Sequence, residues 1–244
     1  MGQLDGKVAI VTGSSSGIGE AAARSLAAEG ASVVVNSSSS VEAGTAVAES
    51  LPTESIYIQA DIADEAQDRS LVAQTLERFG RLDILVNNAG WTTRVDHRDH
   101  EALTNEILFK TMEVNVYGTW WLTRAAMPAL QESKGCIVNV TSTAGLRPVG
   151  SSLAYGMAKA ALNHLTEDLA RYQGPVRANA VAPGLVATPW TAEWDDLHAA
   201  TAALNPMKRS ATPEDCAQAI MACVTNTYMN GSIVKVDGGT TLVL

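Results

Sequence analysis

Seven short runs of β-branched and apolar residues recur along the chain, and longer segments with helical periodicity separate them. Each run is almost continuously apolar rather than alternating, which is typical of strands covered by helices on both faces. Such alternation predicts βα units assembled into one parallel sheet. The predicted strands are 8–11, 33–35, 56–58, 84–86, 137–140, 176–181 and 233–236.

The segments between these strands predict helices, and no Pro- or Ser-rich linker divides the chain. We therefore expect a single domain over residues 1–244, of the α/β class with a doubly wound seven-stranded parallel sheet. The least regular stretch, 187–212, contains Pro189 and Pro206 and is predicted to be a substrate loop or lid. The predicted helices are 19–29, 41–51, 65–79, 113–131, 153–172 and 214–225.

Charge and composition exclude several classes of function. The 244 residues carry 17 basic and 26 acidic side chains, a net charge of −9, which argues against nucleic acid or an anionic membrane as a partner. Three cysteines without framework spacing predict neither a disulfide scaffold nor a zinc site. His97 and His100 lack supporting ligands, so no metal is expected. No run of about 18 apolar residues or leader-like segment occurs, which predicts a cytoplasmic protein.

A glycine turn follows the first predicted strand and leads into a helix. Gly13 permits the tight turn, Gly17 lets the backbone approach a pyrophosphate, and Gly19 allows close packing of helix and strand. Free N–H groups at the helix start attract the anion. The turn therefore predicts dinucleotide binding in a Rossmann fold, with a merely structural turn as the alternative. The predicted cofactor-binding residues of this turn are Gly13, Ser15, Ser16, Gly17, Ile18 and Gly19.

A tyrosine and a lysine share one face of a predicted helix. Tyr155 and Lys159 are four residues apart, and Ser142 ends the strand before that helix. The carboxyl ends of parallel strands meet at one edge of a sheet, so these groups are expected near the glycine turn. A nearby ammonium lowers the pKa of a phenol towards the range useful for proton transfer. Thr141 and Thr143 are the alternatives to Ser142 for the hydroxyl role.

Further motifs extend from Lys7 almost to the end of the chain. They are the spacing Gly-x-x-x-Gly-x-Gly, Asn87-Asn88-Ala89-Gly90, the Tyr155 to Lys159 pair, Pro183-Gly184 and Asp237-Gly238-Gly239. Together they resemble the short-chain dehydrogenase/reductase family, and most closely its 3-oxoacyl-carrier-protein reductases.

The resemblance implies an NAD(P)-dependent oxidoreductase that interconverts a carbonyl and a secondary alcohol, and it implies a homotetramer. It gives catalytic roles to Asn115, Ser142, Tyr155 and Lys159. Alternatives are a sugar or steroid alcohol dehydrogenase of the same fold, a sugar-nucleotide epimerase or dehydratase, and a non-catalytic dinucleotide-binding regulatory or scaffold protein. Beyond the glycine turn, the implied cofactor contacts are Asp61, Ile62, Asn88, Gly90, Tyr155, Lys159, Pro183, Gly184, Val186 and Thr188.

The second strand indicates which dinucleotide binds. NAD enzymes of this architecture hold the adenosine ribose with a carboxylate there, whereas no acidic residue stands between the second strand and Glu42 in this chain. Asn36 and the following serines can donate hydrogen bonds to a 2′-phosphate, so NADP(H) is favoured over NAD(H). The alternative is that 37–40 is simply a solvated loop.

Large apolar residues near the expected site indicate the substrate. They predict a pocket for an apolar or aromatic substrate. The resemblance implies that this substrate is a small-molecule carbonyl or alcohol, such as a 3-oxoacyl thioester or another apolar ketone. The alternative is that they cover the sheet. The residues are Trp91, Leu153, Leu185, Trp190 and Trp194.

Overall fold

The computed structural model describes residues 2–243 and contains one seven-stranded sheet in which every pair of neighbouring strands is parallel. The sheet confirms the predicted fold class, and the strand bounds differ from expectation by no more than two residues. The strands are β1 (Val8–Val11), β2 (Ser32–Ser37), β3 (Ile56–Gln59), β4 (Ile84–Asn87), β5 (Cys136–Val140), β6 (Arg177–Pro183) and β7 (Ile233–Val236).

Helices cover both faces of this sheet. A π-helical turn, Glu113–Gly118, joins the fourth and fifth helices into one continuous rod, and short 3₁₀ turns occupy Thr143–Gly145 and Pro189–Thr191. The α-helices are α1 (Gly17–Ala28), α2 (Val41–Ser50), α3 (Glu65–Phe79), α4 (Asn105–Met112), α5 (Thr119–Ser133), α6 (Leu153–Tyr172), α7 (Asp195–Leu204), α8 (Pro213–Thr225) and α9 (Thr240–Val243).

The apolar core is split between the two faces, as continuously apolar strands require. One layer joins Val33 and Val138 to α1 and α8, and the other joins Ile10 and Leu85 to α3 and α5. Burying each such side chain contributes about 1.5–3 kcal/mol, so the two layers account for much of the favourable free energy of folding.

The strand order places a switch point beside β1. The order β3-β2-β1-β4-β5-β6-β7 sends the chain outwards in one direction after β1 and in the other direction after β3. Ligands of open parallel sheets bind beyond the carboxyl ends of the strands at such a point. The glycine turn after β1 and the loops after β4, β5 and β6 all lie at that edge.

Three helices differ from the sequence prediction, and one of them is the short helix α9, which was not predicted. The rod expected over 113–131 begins instead at Asn105, where the Thr104 hydroxyl caps the helix by accepting a hydrogen bond from Ile107 N at 3.3 Å. The stretch 187–212, expected to be irregular, contains the ten-residue helix α7. A proline interrupts a helix at its own position but does not prevent a helix between two prolines. Pro189 and Pro206 therefore made the segment look irregular although α7 lies between them.

Candidate active site

The glycine turn is tightly braced against the loop after β4. Gly13 and Gly17 have φ values of 60° and 58°, a region that favours glycine. A side chain on Gly19 would overlap the carbonyl oxygen of Gly13, so only glycine lets α1 pack this close. The Asn88 side-chain amide donates to Thr12 O at 2.9 Å and to Gly13 O at 3.0 Å. The turn is therefore preorganised with the amides at the start of α1 free for an anion.

A single cavity of about 600 Å³ runs from this turn across the carboxyl edge of the sheet. Gly19 is the one predicted cofactor residue outside its lining, because it packs between helix and strand. The structure therefore brings the predicted set together, and the chemistry of the lining suits a dinucleotide. The predicted residues that line it are Gly13, Ser15, Ser16, Gly17, Ile18, Asn36, Asp61, Ile62, Asn88, Gly90, Tyr155, Lys159, Pro183, Gly184, Val186 and Thr188.

The structure contradicts the donor role expected for Asn36. Its side chain is only 1% exposed, and its amide nitrogen already donates to Ile58 O at 3.1 Å and to Ala60 O at 3.0 Å. Both amide hydrogens are thus used to hold β2 against β3, leaving none for a 2′-phosphate. Ser38 and Ser40 line the cavity at this end instead.

Tyr155 is positioned by the first turn of α6. The Ser152 hydroxyl caps this helix by accepting a hydrogen bond from Tyr155 N at 3.2 Å. The enclosed surroundings of the phenol raise the pKa of Tyr155 to about 12, while the Ser142 hydroxyl opposes that rise. Thr141 donates instead to Val181 O at 3.3 Å, so Ser142 rather than Thr141 is the hydroxyl that acts on Tyr155.

Lys159 lies one helical turn further along the same face. Its ammonium donates to Val140 O at 3.0 Å and lies 5.5 Å from the centre of the Tyr155 ring. The residue is 3% exposed, and this burial lowers the pKa of Lys159 to about 8. Tyr155, Lys159 and Ser142 are therefore brought together in the cavity, with Thr143 beside them.

Asn115 lies behind the cavity rather than in its lining. It is fully buried in the π-helical turn, and its amide nitrogen donates to Trp91 O at 2.7 Å and to Thr111 O at 2.8 Å. A Cβ on Gly90 would lie 2.7 Å from Asn115 Oδ1 and 3.6 Å from Lys159 Nζ. The glycine thus keeps space open between the amide oxygen and the ammonium.

The predicted substrate pocket is partly correct. Leu185, Trp190 and Trp194 line the cavity, whereas Trp91 and Leu153 do not. The Lys110 ammonium lies 4.5 Å from the centre of the Trp91 ring. Leu153 is exposed on the outside of α6.

Helix α7 supplies the wall that the sequence prediction missed. Its lining residues are spaced i, i+3, i+4 and i+7, so the signal was present in the sequence as an amphipathic stripe. Every residue of this stripe is uncharged, and so are the lining residues contributed by the loops after β5 and β6. The stripe consists of Leu197, Ala200, Thr201 and Leu204.

Other features of the described residues bear on the class of site. They hold no group of three or more His, Cys, Asp or Glu side chains arranged to bind a metal ion. Cys136, Cys216 and Cys223 are free and buried, and burial raises the pKa of each thiol. Within residues 2–243, no helix is both long and apolar enough to cross a membrane.

A doubly wound sheet, a glycine turn and a Tyr/Lys pair in one cavity define the class of nicotinamide-dinucleotide-dependent oxidoreductases. Comparison with known proteins agrees. A family model described as enoyl-(acyl carrier protein) reductase matches residues 13–241. The chain belongs to the short-chain dehydrogenase/reductase family and is an NAD(P)-dependent oxidoreductase.

Three relatives illustrate this membership. A Streptomyces violaceoruber protein named "Granaticin polyketide synthase putative ketoacyl reductase 2" is 48% identical over 242 residues, covering 97% of this chain and 96% of its own length. The 3-oxoacyl-[acyl-carrier-protein] reductase FabG of Thermotoga maritima is 32% identical over 250 residues, covering 98% and 99%. The crystal structure of a short-chain dehydrogenase/reductase from Burkholderia xenovorans superposes with a TM-score of 0.90 at 32% identity, covering 97% and 98%.

Proposed function

We propose that this oxidoreductase reduces an uncharged, largely apolar ketone to a secondary alcohol, and catalyses the reverse oxidation, with Ser142, Tyr155, Lys159 and Asn115 as its catalytic group. The observation that carries the proposal is the Tyr155 phenol, which lies beside Ser142 and Lys159 in the same cavity as the glycine turn. A bound nicotinamide dinucleotide would supply the hydride.

Tyr155 moves the proton in this proposal. A pKa of about 12 keeps the phenol protonated at neutral pH, which suits a group that donates a proton to a carbonyl oxygen. Ser142 hydrogen-bonds the same oxygen and holds it next to the phenol. The Lys159 ammonium stabilises the phenolate that remains, because opposite charges attract strongly in a partly desolvated site.

Asn115 acts from behind this group. Its amide nitrogen fixes the loop after β4 through Trp91 O, and its Oδ1 faces the space that Gly90 leaves open beside Lys159. We assign it the role of orienting a proton-relay water there. The simpler alternative is a structural amide that only ties this loop to the π-helical turn.

The substrate class follows from the charges around the cavity. Asp61, near the adenosine end, and Lys159 are the charged side chains among the described lining residues. The substrate end, walled by Trp190, Trp194 and Leu197, offers no partner for a carboxylate or phosphate, and burying an unpaired charge is costly. A 3-oxoacyl thioester or another neutral ketone fits such a wall, and the names of the two reductase relatives agree with this class.

NADP(H) is the proposed dinucleotide. No carboxylate stands between β2 and Glu42 to repel a 2′-phosphate, Glu42 does not line the cavity, and Ser38 and Ser40 line that end of it. Ser38→Asp should therefore lower kcat/KM for NADPH by about tenfold or more relative to NADH. Ser39→Asp is the matched control, because Ser39 does not line the cavity. Equal effects of the two variants, or a wild-type enzyme that prefers NADH, would contradict the assignment.

Segment 187–212 is proposed as the substrate loop, and residues 1–244 as one catalytic domain. We also propose a homotetramer, as the family resemblance implies. Exposed aromatic and apolar side chains on the helices that carry Asn115 and Tyr155 support subunit contacts there. They are Phe109, Tyr117, Trp120 and Met157.

The proposed reaction is tested with a panel of ketones and alcohols, monitored by nicotinamide absorbance with both dinucleotides. Each neutral ketone is paired with an analogue of similar size that carries a carboxylate. We expect reduction of neutral ketones and much weaker reduction of their charged partners. Preference for the charged analogues would contradict the substrate class. Cofactor binding without turnover of any member would favour the non-catalytic alternative.

A further inference from the structure

An ion pair bridges the outer edge of the cavity at a distance from the catalytic group. Arg94, in the loop after β4, donates to both carboxylate oxygens of Asp196 on α7, at 3.2 and 2.9 Å. Its guanidinium carbon also lies 5.9 Å from the centre of the Trp194 ring. One side chain therefore holds both the start of α7 and a cavity-lining aromatic residue.

Among residues 2–243, the two hydrogen bonds of this ion pair are the ones that join α7 to the loop after β4. The far end of α7 is fixed elsewhere, since the Asn205 amide donates to Asp237 O at 3.0 Å. His198 also joins α7 to the segments that flank it, at 2.7 Å from Ser210 Oγ and 3.1 Å from Thr191 O. Neither contact reaches the opposite wall, so the attachment of α7 to that wall depends on Arg94.

The loop that carries Arg94 is itself attached to the catalytic helix. Val95 N donates to Ser151 O at 2.8 Å, and the hydroxyls of Thr92 and Ser151 are 2.7 Å apart. The next residue, Ser152, is the hydroxyl cap that accepts from Tyr155 N. Arg94 thus ties the apolar wall of α7 to a loop that is itself bonded to the segment capping the helix of Tyr155.

We propose that Arg94 is a positioning residue that holds α7 over the substrate, so that Trp194 and Leu197 lie against the ketone while Tyr155 donates its proton. Asp196 is its partner in this role. The proposal rests on the proposed ketone reduction for its effect on kinetics. The structural part of the proposal, that the ion pair holds α7 over the cavity, rests only on the observed contacts.

The chain contains a matched control pair. Arg69 and Glu65 form another exposed ion pair on α3, where Arg69 Nε and Nη2 both donate to Glu65 Oε1, at 3.0 and 2.6 Å, and neither residue lines the cavity. Arg69→Gln removes one exposed arginine from a carboxylate, as Arg94→Gln does, and it lies outside segment 187–212.

The experiment compares the wild type with Arg94→Gln, Asp196→Asn, Arg69→Gln and the reversed pair Arg94→Asp/Asp196→Arg. Breaking the bridge should raise KM for the ketone about two- to fivefold, the range open to a partly exposed ion pair, with smaller changes in kcat and in the NADPH Kd. The reversed pair should recover most of the loss, and Arg69→Gln should resemble the wild type. An unchanged KM in Arg94→Gln, an equal effect of Arg69→Gln, or no recovery in the reversed pair would each overturn the proposal.

A second readout separates this proposal from the proposed reaction. Limited proteolysis within 187–212 measures how often α7 opens, and it requires no substrate. We expect cleavage about two- to fivefold faster in Arg94→Gln than in the wild type or Arg69→Gln. If the wild type reduces no ketone, the proposed function fails while faster cleavage still supports the bridge. Equal cleavage rates overturn the bridge whatever the activity.

Discussion

The half-buried Tyr155 and the buried Lys159 lie close together in the cavity, and their pKa values are shifted in opposite directions. Burial raises the pKa of Tyr155 to about 12 and lowers that of Lys159 to about 8, because a low-dielectric environment favours the neutral form of each. Proton transfer from Tyr155 to a ketone creates a phenolate, which gains most when Lys159 is charged. The protonation state of Lys159 is therefore expected to control the rate of reduction.

The pH profile tests this dependence. With Lys159 losing its proton near pH 8, kcat/KM for ketone reduction should decline above about pH 8, approaching tenfold per pH unit. Lys159→Arg keeps its charge throughout this range, so any activity it retains should lack that decline. The assignment is contradicted if the wild type and Lys159→Arg show the same break.

At the scale of single elements, α3 contains a carboxylate without a partner. Asp68 is fully buried, and neither of its oxygens has a hydrogen-bond donor. Burial, followed by the charges of Asp61, Asp64 and Glu65, raises the pKa of Asp68 to about 8. An unfolded aspartate titrates near pH 4, so only the folded chain holds this proton between about pH 4 and 8. Stability should therefore fall as the pH rises through that window.

Asp68→Asn should remove this pH dependence. We expect the variant to gain ~1–3 kcal/mol in free energy of unfolding at pH 8 and much less at pH 5, because an amide cannot ionise. Urea unfolding at the two pH values measures the difference. A wild type that is equally stable at both, or a variant with an unchanged slope, would show that Asp68 is not protonated in the folded chain.

The strands and several helices were predictable because burial leaves a strong local pattern. Val8–Val11 is apolar throughout, and Glu65–Phe79 carries clear periodicity, and both bounds were correct. The start of α4 and all of α7 were missed, since Thr104 is a modest cap signal and prolines flank α7.

Part of the site was also predictable from sequence and part was not. Motif residues that follow the strands come together at one edge because the strands of this sheet are parallel. The engaged amide of Asn36 and the outward position of Leu153 depend on contacts between distant segments, which local sequence does not encode.

At the scale of the whole molecule, an acidic chain must bind an anionic dinucleotide. The net charge of −9 gives no long-range attraction, so affinity has to come from local donors such as the amides of the glycine turn and Lys159. The proposed assembly also concerns the whole molecule. Single exposed aromatic residues are common on protein surfaces, whereas several along one helical rod, here Phe109, Tyr117 and Trp120, favour a contact surface.

Assembly is tested by charging that surface. Phe109→Asp and Trp120→Asp place carboxylates on the exposed face of α4 and α5, where desolvation on association is costly. We expect light scattering to give a tetramer for the wild type and smaller species for the double variant, with circular dichroism unchanged. A monomeric wild type would contradict the proposed tetramer.

The most direct test of the proposed chemistry is Tyr155→Phe, measured with the best ketone of the panel and NADPH. Removing one hydroxyl deletes the proton donor while leaving the ring and the glycine turn in place. We predict a loss in kcat of about 10²-fold or more, with an NADPH Kd within about twofold of the wild type. Turnover close to that of the wild type would contradict the account.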